Sequence, residues 1–243
     1  MADRRDLLLL DAELRDAWGI DLGSMEDPGW WESLERDCPS ELVTRFREIH
    51  QAYSQAEIGG GPQAERAERA FFDLAADDRL LGRVHSHRRP VIIDCAALVD
   101  DLLVSRGIVG PVLDAGCHAG YLSAWWARHE SLEVVGCDLS RPALELGRRR
   151  CARLGRAAEL VEGDLLPEGD EGRFELIVAV DVLPEEIGSG LRGLGRLGAG
   201  RSACASTSTW RRRPPCGTST TPRAGAPSCC AAAPRYSAAS LGG

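Results

Sequence analysis

The chain of 243 residues contains no lysine and no asparagine, and all 29 of its basic residues are arginine. These two omissions point to a strongly GC-rich coding sequence rather than to a function. No run of 18 or more apolar residues occurs, so no membrane span is expected. Leu7 to Leu10 is too short for the core of a signal peptide and is followed at once by Asp11 and Glu13, so the expected location is cytoplasmic. Positive charge is in deficit. The formal net charge of -8 argues against a nucleic-acid backbone as the main partner. The nine cysteines include no pair at zinc-ligand spacing, so no metal is expected. Cys38, Cys95, Cys117, Cys137 and Cys151 are scattered through apolar stretches and read as small apolar fillers in a reducing compartment. The length suffices for one sizeable core with an appended element.

The chain is organised around Val112-Leu113-Asp114-Ala115-Gly116-Cys117-His118-Ala119-Gly120-Tyr121. A short apolar run leads into an Asp, two glycines follow four residues apart, and an apolar segment without breakers continues. That pattern predicts strand, tight loop, helix. Gly116 allows a sharp turn, and Gly120 lets the helix begin close to the strand or to a ligand. Further strand-like runs repeat the theme. Glu133 to Cys137 ends in Asp138, Ala158 to Val161 is followed by Glu162-Gly163-Asp164, and Phe174 to Val180 ends in Asp181. Four carboxylates at four strand ends would line one edge of a parallel sheet, where nucleoside-type ligands bind. Turn-favouring Asp residues account for one or two of them but not for the regularity of the set.

The stretch from about Pro111 to Glu186 resembles the cofactor half of a class I S-adenosylmethionine-dependent methyltransferase. Asp114 to Gly120 is similar to that family's glycine-rich first motif, with His118 where the family often has glycine. The resemblance implies that Asp138 holds the ribose hydroxyls and Asp164 meets the adenine amine. It also implies that Asp181-Val182-Leu183-Pro184 lies near the methionine end and the substrate. The cofactor contacts it implies are Asp114, Gly116, Cys117, His118, Gly120, Tyr121, Asp138, Leu139, Asp164, Leu165, Asp181 and Val182. The implied fold is α/β, a Rossmann-like, doubly wound, mostly parallel sheet. The implied cofactor is S-adenosylmethionine and the implied partner a small-molecule substrate, with the chain a monomer or homodimer.

Residues 1–107 read as a helical cap, 108–200 as the cofactor-binding core and 201–243 as an irregular tail. In the cap, apolar spacing predicts helices over Asp6 to Trp18, from Trp30, from Ser40 to about Tyr53, from about Gln63 to Leu81, and from Val91 to Arg106. In the core, helices are expected over Tyr121 to His129 and over Arg141 to Leu154, with Pro142 in its first turn and Gly155 past its end. The Arg148-Arg149-Arg150 run reads as a solvated face. His85, His87 and Tyr53 are the candidates for a general base, should the nucleophile be a hydroxyl. The arginines beside the two histidines could meet a carboxylate on cofactor or substrate.

The last acidic residue is Glu186, and the segment after it holds eight arginines. From about Arg201 the sequence is Ser, Thr, Ala, Cys, Pro and Arg without a period, where the fold needs a fifth strand and a closing pair. A basic low-complexity tail is one reading. A shifted reading frame is the other: GC-rich codons for Ala205 to Thr209, read one frame over, permit alternating Val and Asp. The frame shift is preferred because the change of composition falls where a strand is required. The closing strands are therefore expected to be missing or irregular. Two further functions stand beside methyl transfer. One is a nicotinamide-dependent Rossmann oxidoreductase, against which the loop lacks G-x-G-x-x-G spacing. The other is an inactive cofactor-binding remnant.

Overall fold

The structure, a computed structural model, describes residues 4–21, 27, 29–59, 61–163, 173–180 and 202–205. Six helices come first: α1 (Arg4–Trp18), α2 (Trp30–Asp37), α3 (Ser40–Gly59), α4 (Gly61–Ala75), α5 (Leu81–His85) and α6 (Arg89–Arg106). A single 3₁₀ turn, Ser86–Arg88, joins the last two. Then follow β1 (Gly110–Ala115), α7 (Tyr121–Trp126), β2 (Leu132–Asp138), α8 (Arg141–Leu154), β3 (Glu159–Glu162), β4 (Leu176–Val180) and β5 (Ser202–Ala205). The strands form one sheet in the order β3-β2-β1-β4-β5. Every pairing is parallel: Val112 lies opposite Val134 and Leu176, Cys137 opposite Val161, and Ile177 opposite Ser202. The order reverses direction at β1, between its neighbours β2 and β4, which is the switch point where such sheets open a ligand crevice at their carboxyl ends.

The sheet is buried on both faces, as parallel sheets require. Val112, Val134, Leu160, Leu176 and Val178 face a core shared with α1, α6, α7 and α8. Leu113, Ala115, Val135, Cys137, Ile177 and Ala179 line the opposite face and are buried with Phe174. The front section is not one cap. The apolar stripe of α1 (Leu10, Leu14, Trp18) and that of α6 (Ile92, Ala96, Val99, Leu103) belong to the sheet's own core. α2, α3 and α4, joined by Leu80 and by Val84 of α5, build a separate core around Leu34, Phe46 and Phe71. Arg89, almost wholly buried, ties α6 to α1 by donating to Asp11 Oδ1 at 2.8 Å and to Asp21 Oδ1 at 3.1 Å.

Several elements depart from the sequence expectation. The helix expected to run to Leu81 stops at Ala75, because Asp77 builds a turn: its carboxylate accepts from Arg79 N at 2.9 Å, and its carbonyl accepts from Leu80 N and Leu81 N. α7 stops at Trp126, three residues early, where Arg128 Nη1 takes the carbonyl of Trp125 at 3.0 Å. Both tryptophans of α7 are buried. The arginine run of α8 is not simply a solvated face. Arg148 donates twice to Leu160 O, at 3.2 and 2.6 Å, and Arg150 donates to Ala17 O and pairs with Asp78 at 2.7 Å. Arg148 and Arg149 are both exposed, and Arg150 is partly buried. The expectation of no ordered strand after Arg201 is also corrected, since Ser202–Ala205 pair with β4. Parallel pairing uses backbone N–H and C=O groups, which any four non-proline residues supply, so the missing apolar period did not prevent it. Residues 206–243, and the reading of them as frame-shifted, lie outside the described residues.

Close backbone approach fixes how α5 meets the end of α1. A Cβ on Gly82 would stand 1.9 Å from the carbonyl oxygen of Gly19, so only glycine fits there. Gly82→Ala should therefore destabilise the protein by roughly 1–3 kcal/mol, as overpacking against backbone does. A denaturant midpoint unchanged from wild type would refute the close approach.

Candidate functional site

The site is assembled at the carboxyl ends of β1 and β2. Asp114, near the end of β1, is buried and accepts a 2.6 Å hydrogen bond from Ser123 Oγ of α7. The chain then reverses through residues with positive φ, Gly116 at 71°, His118 at 50° and Gly120 at 71°. His118 occupies, at some backbone strain, a conformation that glycine takes freely. Two loop amides bind across the sheet: Gly116 N and Cys117 N both donate to Cys137 O, at 2.8 and 3.0 Å. Cys117 is buried with its thiol pushed well up by desolvation, so it packs rather than reacts.

Asp138 closes the loop from β2. Its Oδ2 accepts from His118 N at 2.7 Å and its Oδ1 from Ser140 N at 2.8 Å. Each carboxylate oxygen offers two acceptor positions, so one on each remains for a ligand hydroxyl. Ser140 in turn caps α8 by accepting from Ala143 N, ahead of the proline at the start of the helix. Leu139, between these two, is about half exposed at the same edge.

α4 lies across this edge. Phe72 O is 3.1 Å from His118 Nε2, Ser140 Oγ donates to Asp73 Oδ1 at 2.6 Å, and Arg69 Nη2 donates to Leu139 O at 3.1 Å. Ring contacts extend the join: Phe72 to His118 at 5.7 Å, His118 to His85 at 4.8 Å, His85 to Tyr121 at 5.9 Å and Tyr121 to Trp18 at 6.2 Å between centroids. Sequence reasoning missed Phe72, Asp73, Ser123 and Ser140. Only Ser140 carried a readable signal, as a serine two residues before the proline of a helix start.

The predicted site residues divide accordingly. Asp114, Gly116, Cys117, His118, Gly120 and Tyr121 share the loop with Asp138 and Leu139. Asp164, Leu165, Asp181 and Val182 lie outside the described residues. The three base candidates do not come together. His85 abuts the loop, His87 sits half-buried in the 3₁₀ turn, and Tyr53 stacks on Phe71 at 4.8 Å within the core of α2–α4. Two of the arginines expected to meet a ligand carboxylate bind carboxylates of the chain instead. Arg83 bonds Ser33 Oγ at 2.7 Å and pairs with Asp37, and Arg89 holds Asp11 and Asp21. A hollow of about 350 Å³ lined by Asp6, Asp100, Val104, Arg128 and His129 lies by the start of β2, at the opposite end of the strands. Among the described residues no group of three His, Cys, Asp or Glu side chains is arranged to hold a metal ion.

Burial raises the Asp114 carboxyl from 3.8 to about 6, the Ser123 bond opposing the shift only in part. A carboxyl whose folded value is raised binds its proton more tightly in the folded state. Its contribution to stability is thus fully present below pH 3.8 and lost as pH rises through about 6. Asp114→Asn keeps an acceptor for Ser123 without the charge. Its stability relative to wild type should rise between about pH 4 and 6 and level off above, by at most ~3 kcal/mol. Denaturant melts at a series of pH values read this directly, and a flat difference would refute the buried, uncompensated carboxylate.

Residues 112–196 match the family described as methyltransferase domain. Ribosomal RNA small subunit methyltransferase C of Escherichia coli is 39% identical over 71 residues, which is 29% of this chain and 20% of that protein. The chain thus spans about a fifth of the length of the curated relatives it matches. Among solved structures, magnesium protoporphyrin IX methyltransferase from Synechocystis with bound S-adenosylhomocysteine aligns at a TM-score of 0.41 and 20% identity, over 71% of this chain and 70% of that one. A methyltransferase from Aquifex aeolicus aligns at 0.38 and 17% identity, over 44% and 61%. The matched segment, under half of the chain, is thus similar to the methyltransferase-domain family and carries the glycine-turned loop and the parallel sheet described above.

Proposed function

We propose that the chain transfers the methyl group of S-adenosylmethionine to a small-molecule acceptor bound beneath α4. The observation that carries this reading is the contact of α4 with the loops after β1 and β2, through Phe72, Asp73 and Arg69. A helix held over the cofactor edge screens it from water, and a long nucleic acid would have to displace it. The formal net charge of -8 favours the same choice.

The bound cofactor supplies a methyl group already activated on a sulfonium, so the protein's task is to bind, align and dry the site. In this reading Asp138 accepts the two ribose hydroxyls at the acceptor positions left free by His118 N and Ser140 N. The backbone from Gly116 to Gly120 follows the methionine arm, where its positive φ values keep side chains out of the way. Leu139 and Tyr121 flank the nucleoside. Asp164 and Leu165 serve the adenine, and Asp181 and Val182 the methionine end.

Asp138→Ala should weaken S-adenosylhomocysteine binding about tenfold or more, since each charge-assisted hydrogen bond lost is worth about 1.5–3 kcal/mol. Calorimetry on the folded variant measures it, and an unchanged dissociation constant would remove Asp138 from the site. The acceptor class is read by incubating the chain with methyl-labelled cofactor and either a low-mass cell extract or ribosomal RNA. Label in the low-mass fraction is expected, and label in the RNA alone would overturn the small-molecule reading.

A further inference from the structure

We infer that His85 receives the proton from the acceptor's nucleophilic hydroxyl, which makes the acceptor an alcohol or phenol rather than a carbon or sulfur nucleophile. The inference rests on the methyl-transfer reading above. His85 ends α5, is only 3% exposed, and neither of its ring nitrogens has a hydrogen-bond partner. Other buried histidines among the described residues leave at most one nitrogen unpaired. A buried donor or acceptor left unmade costs about 1–3 kcal/mol. Here the two atoms amount to one N–H and one lone pair, and the lone pair can accept from a hydroxyl.

The position fits. The His85 ring is 4.8 Å from that of His118 on the cofactor loop and 5.9 Å from that of Tyr121, which opens α7. His118 leaves a further unpaired atom at the same place. Its Nε2 faces the carbonyl of Phe72, an acceptor, so the proton of the neutral ring sits on Nε2 and Nδ1 is a bare, buried lone pair. The groups that act on His85 are His118, Arg88 and His87. Burial first, and then these three, hold its imidazole well below the usual histidine range and hence neutral at physiological pH. A neutral imidazole is the form that can take a proton. The imidazolium so made takes over the positive charge that the sulfonium gives up, so the net charge of the site does not change across the step.

The step balances. As the hydroxyl oxygen bonds to the methyl carbon, the carbon–sulfur bond breaks and its electron pair stays on sulfur. The hydroxyl proton passes to the unprotonated nitrogen of His85 and is returned to solvent when the product leaves.

The full chain loaded with S-adenosylhomocysteine and titrated with para-nitrophenol tests this through the phenolate absorbance. Wild type should stabilise the phenolate, lowering the apparent pKa of the bound phenol by about one unit, a tenfold shift. His85→Gln, which keeps a donor and an acceptor but cannot take a proton, should bind S-adenosylhomocysteine as tightly as wild type and lose the shift. His85→Phe should lose the shift as well, and a melting midpoint for each variant confirms that it is folded. An equal shift in folded His85→Gln, or none in wild type that binds S-adenosylhomocysteine, would overturn the assignment and leave His85 a packed or water-bonded side chain. Failure of wild type to bind S-adenosylhomocysteine would overturn the cofactor reading itself.

Discussion

One leucine sets the geometry of the sheet edge that carries the glycine loop. The side chain of Leu160, on β3, occupies the space that a Cβ would need at three glycines: 2.9 Å at Gly120, 2.7 Å at Gly136 and 2.7 Å at Gly147. Those glycines stand at the start of α7, in β2 and in α8. Two helices and two strands therefore meet around one leucine side chain, joined at Gly136 by Ser123 Oγ and Cys117 Sγ, 2.7 and 2.9 Å from where its Cβ would stand. Gly147 would also place a Cβ 2.3 Å from Ala119 O, so α8 rests directly on the backbone of the loop. The loop cannot relax towards α8, and its amides stay aimed at Cys137 O and Asp138. Packing at crystal-like density is what makes the loop a rigid floor rather than a flexible turn.

On that floor the polar bonds order themselves by cost. Asp114 and Asp138 are 24 residues apart in sequence and close enough in space that the charge of Asp138 adds to the rise that burial imposes on Asp114. The fold separates their roles. Asp114 is enclosed, bonded to one hydroxyl and inclined to protonate, so it serves to join β1 to α7. Asp138 is partly open, holds two amides and keeps acceptor capacity for a ligand. A single partly open carboxylate thus stands at this edge of the sheet, set in place by the two amides it bonds.

The sequence made the Rossmann-like part legible because its signals are local. Glycine at a sharp turn, Asp at a strand end, and Pro142 and Gly155 bracketing α8 each act within a few residues. The mistakes share a different origin. The end of α4 depended on a side-chain turn at Asp77, and the fate of Arg148 and Arg150 on carbonyls contributed by β3 and the end of α1. The division of the front section into sheet-packing helices and a separate core built mainly by α2–α4 depended on contacts between elements, which no local pattern records. Gly136 and Gly147 carried no visible signal because a glycine required by a distant leucine looks like any glycine in a strand or helix. β5 was missed because four backbone units can complete a parallel edge without any side-chain pattern.

The absence of lysine turns out to matter structurally even though it reflects base composition. Arg148 reaches Leu160 O with two nitrogens, Arg128 binds both Trp125 O and Asp100 Oδ2, and Arg69 takes Leu139 O beside the site. A lysine ammonium is a point donor with a strong hold on its water, whereas a planar guanidinium offers a fork and gives up water more readily. Arg128 also stacks on Trp125 at 3.6 Å, and Arg150 lies over Trp18 at 5.6 Å. Helix ends and strand carbonyls that would otherwise remain unpaired beneath the surface are therefore closed by long side chains from other elements. An all-arginine chain can place its strands and helices with fewer side-chain caps of its own, because the caps arrive across space. In α8 the same residues that read as a charged surface run bind the helix to β3 and to α1, and so keep Gly147 pressed against the loop that Leu160 locks.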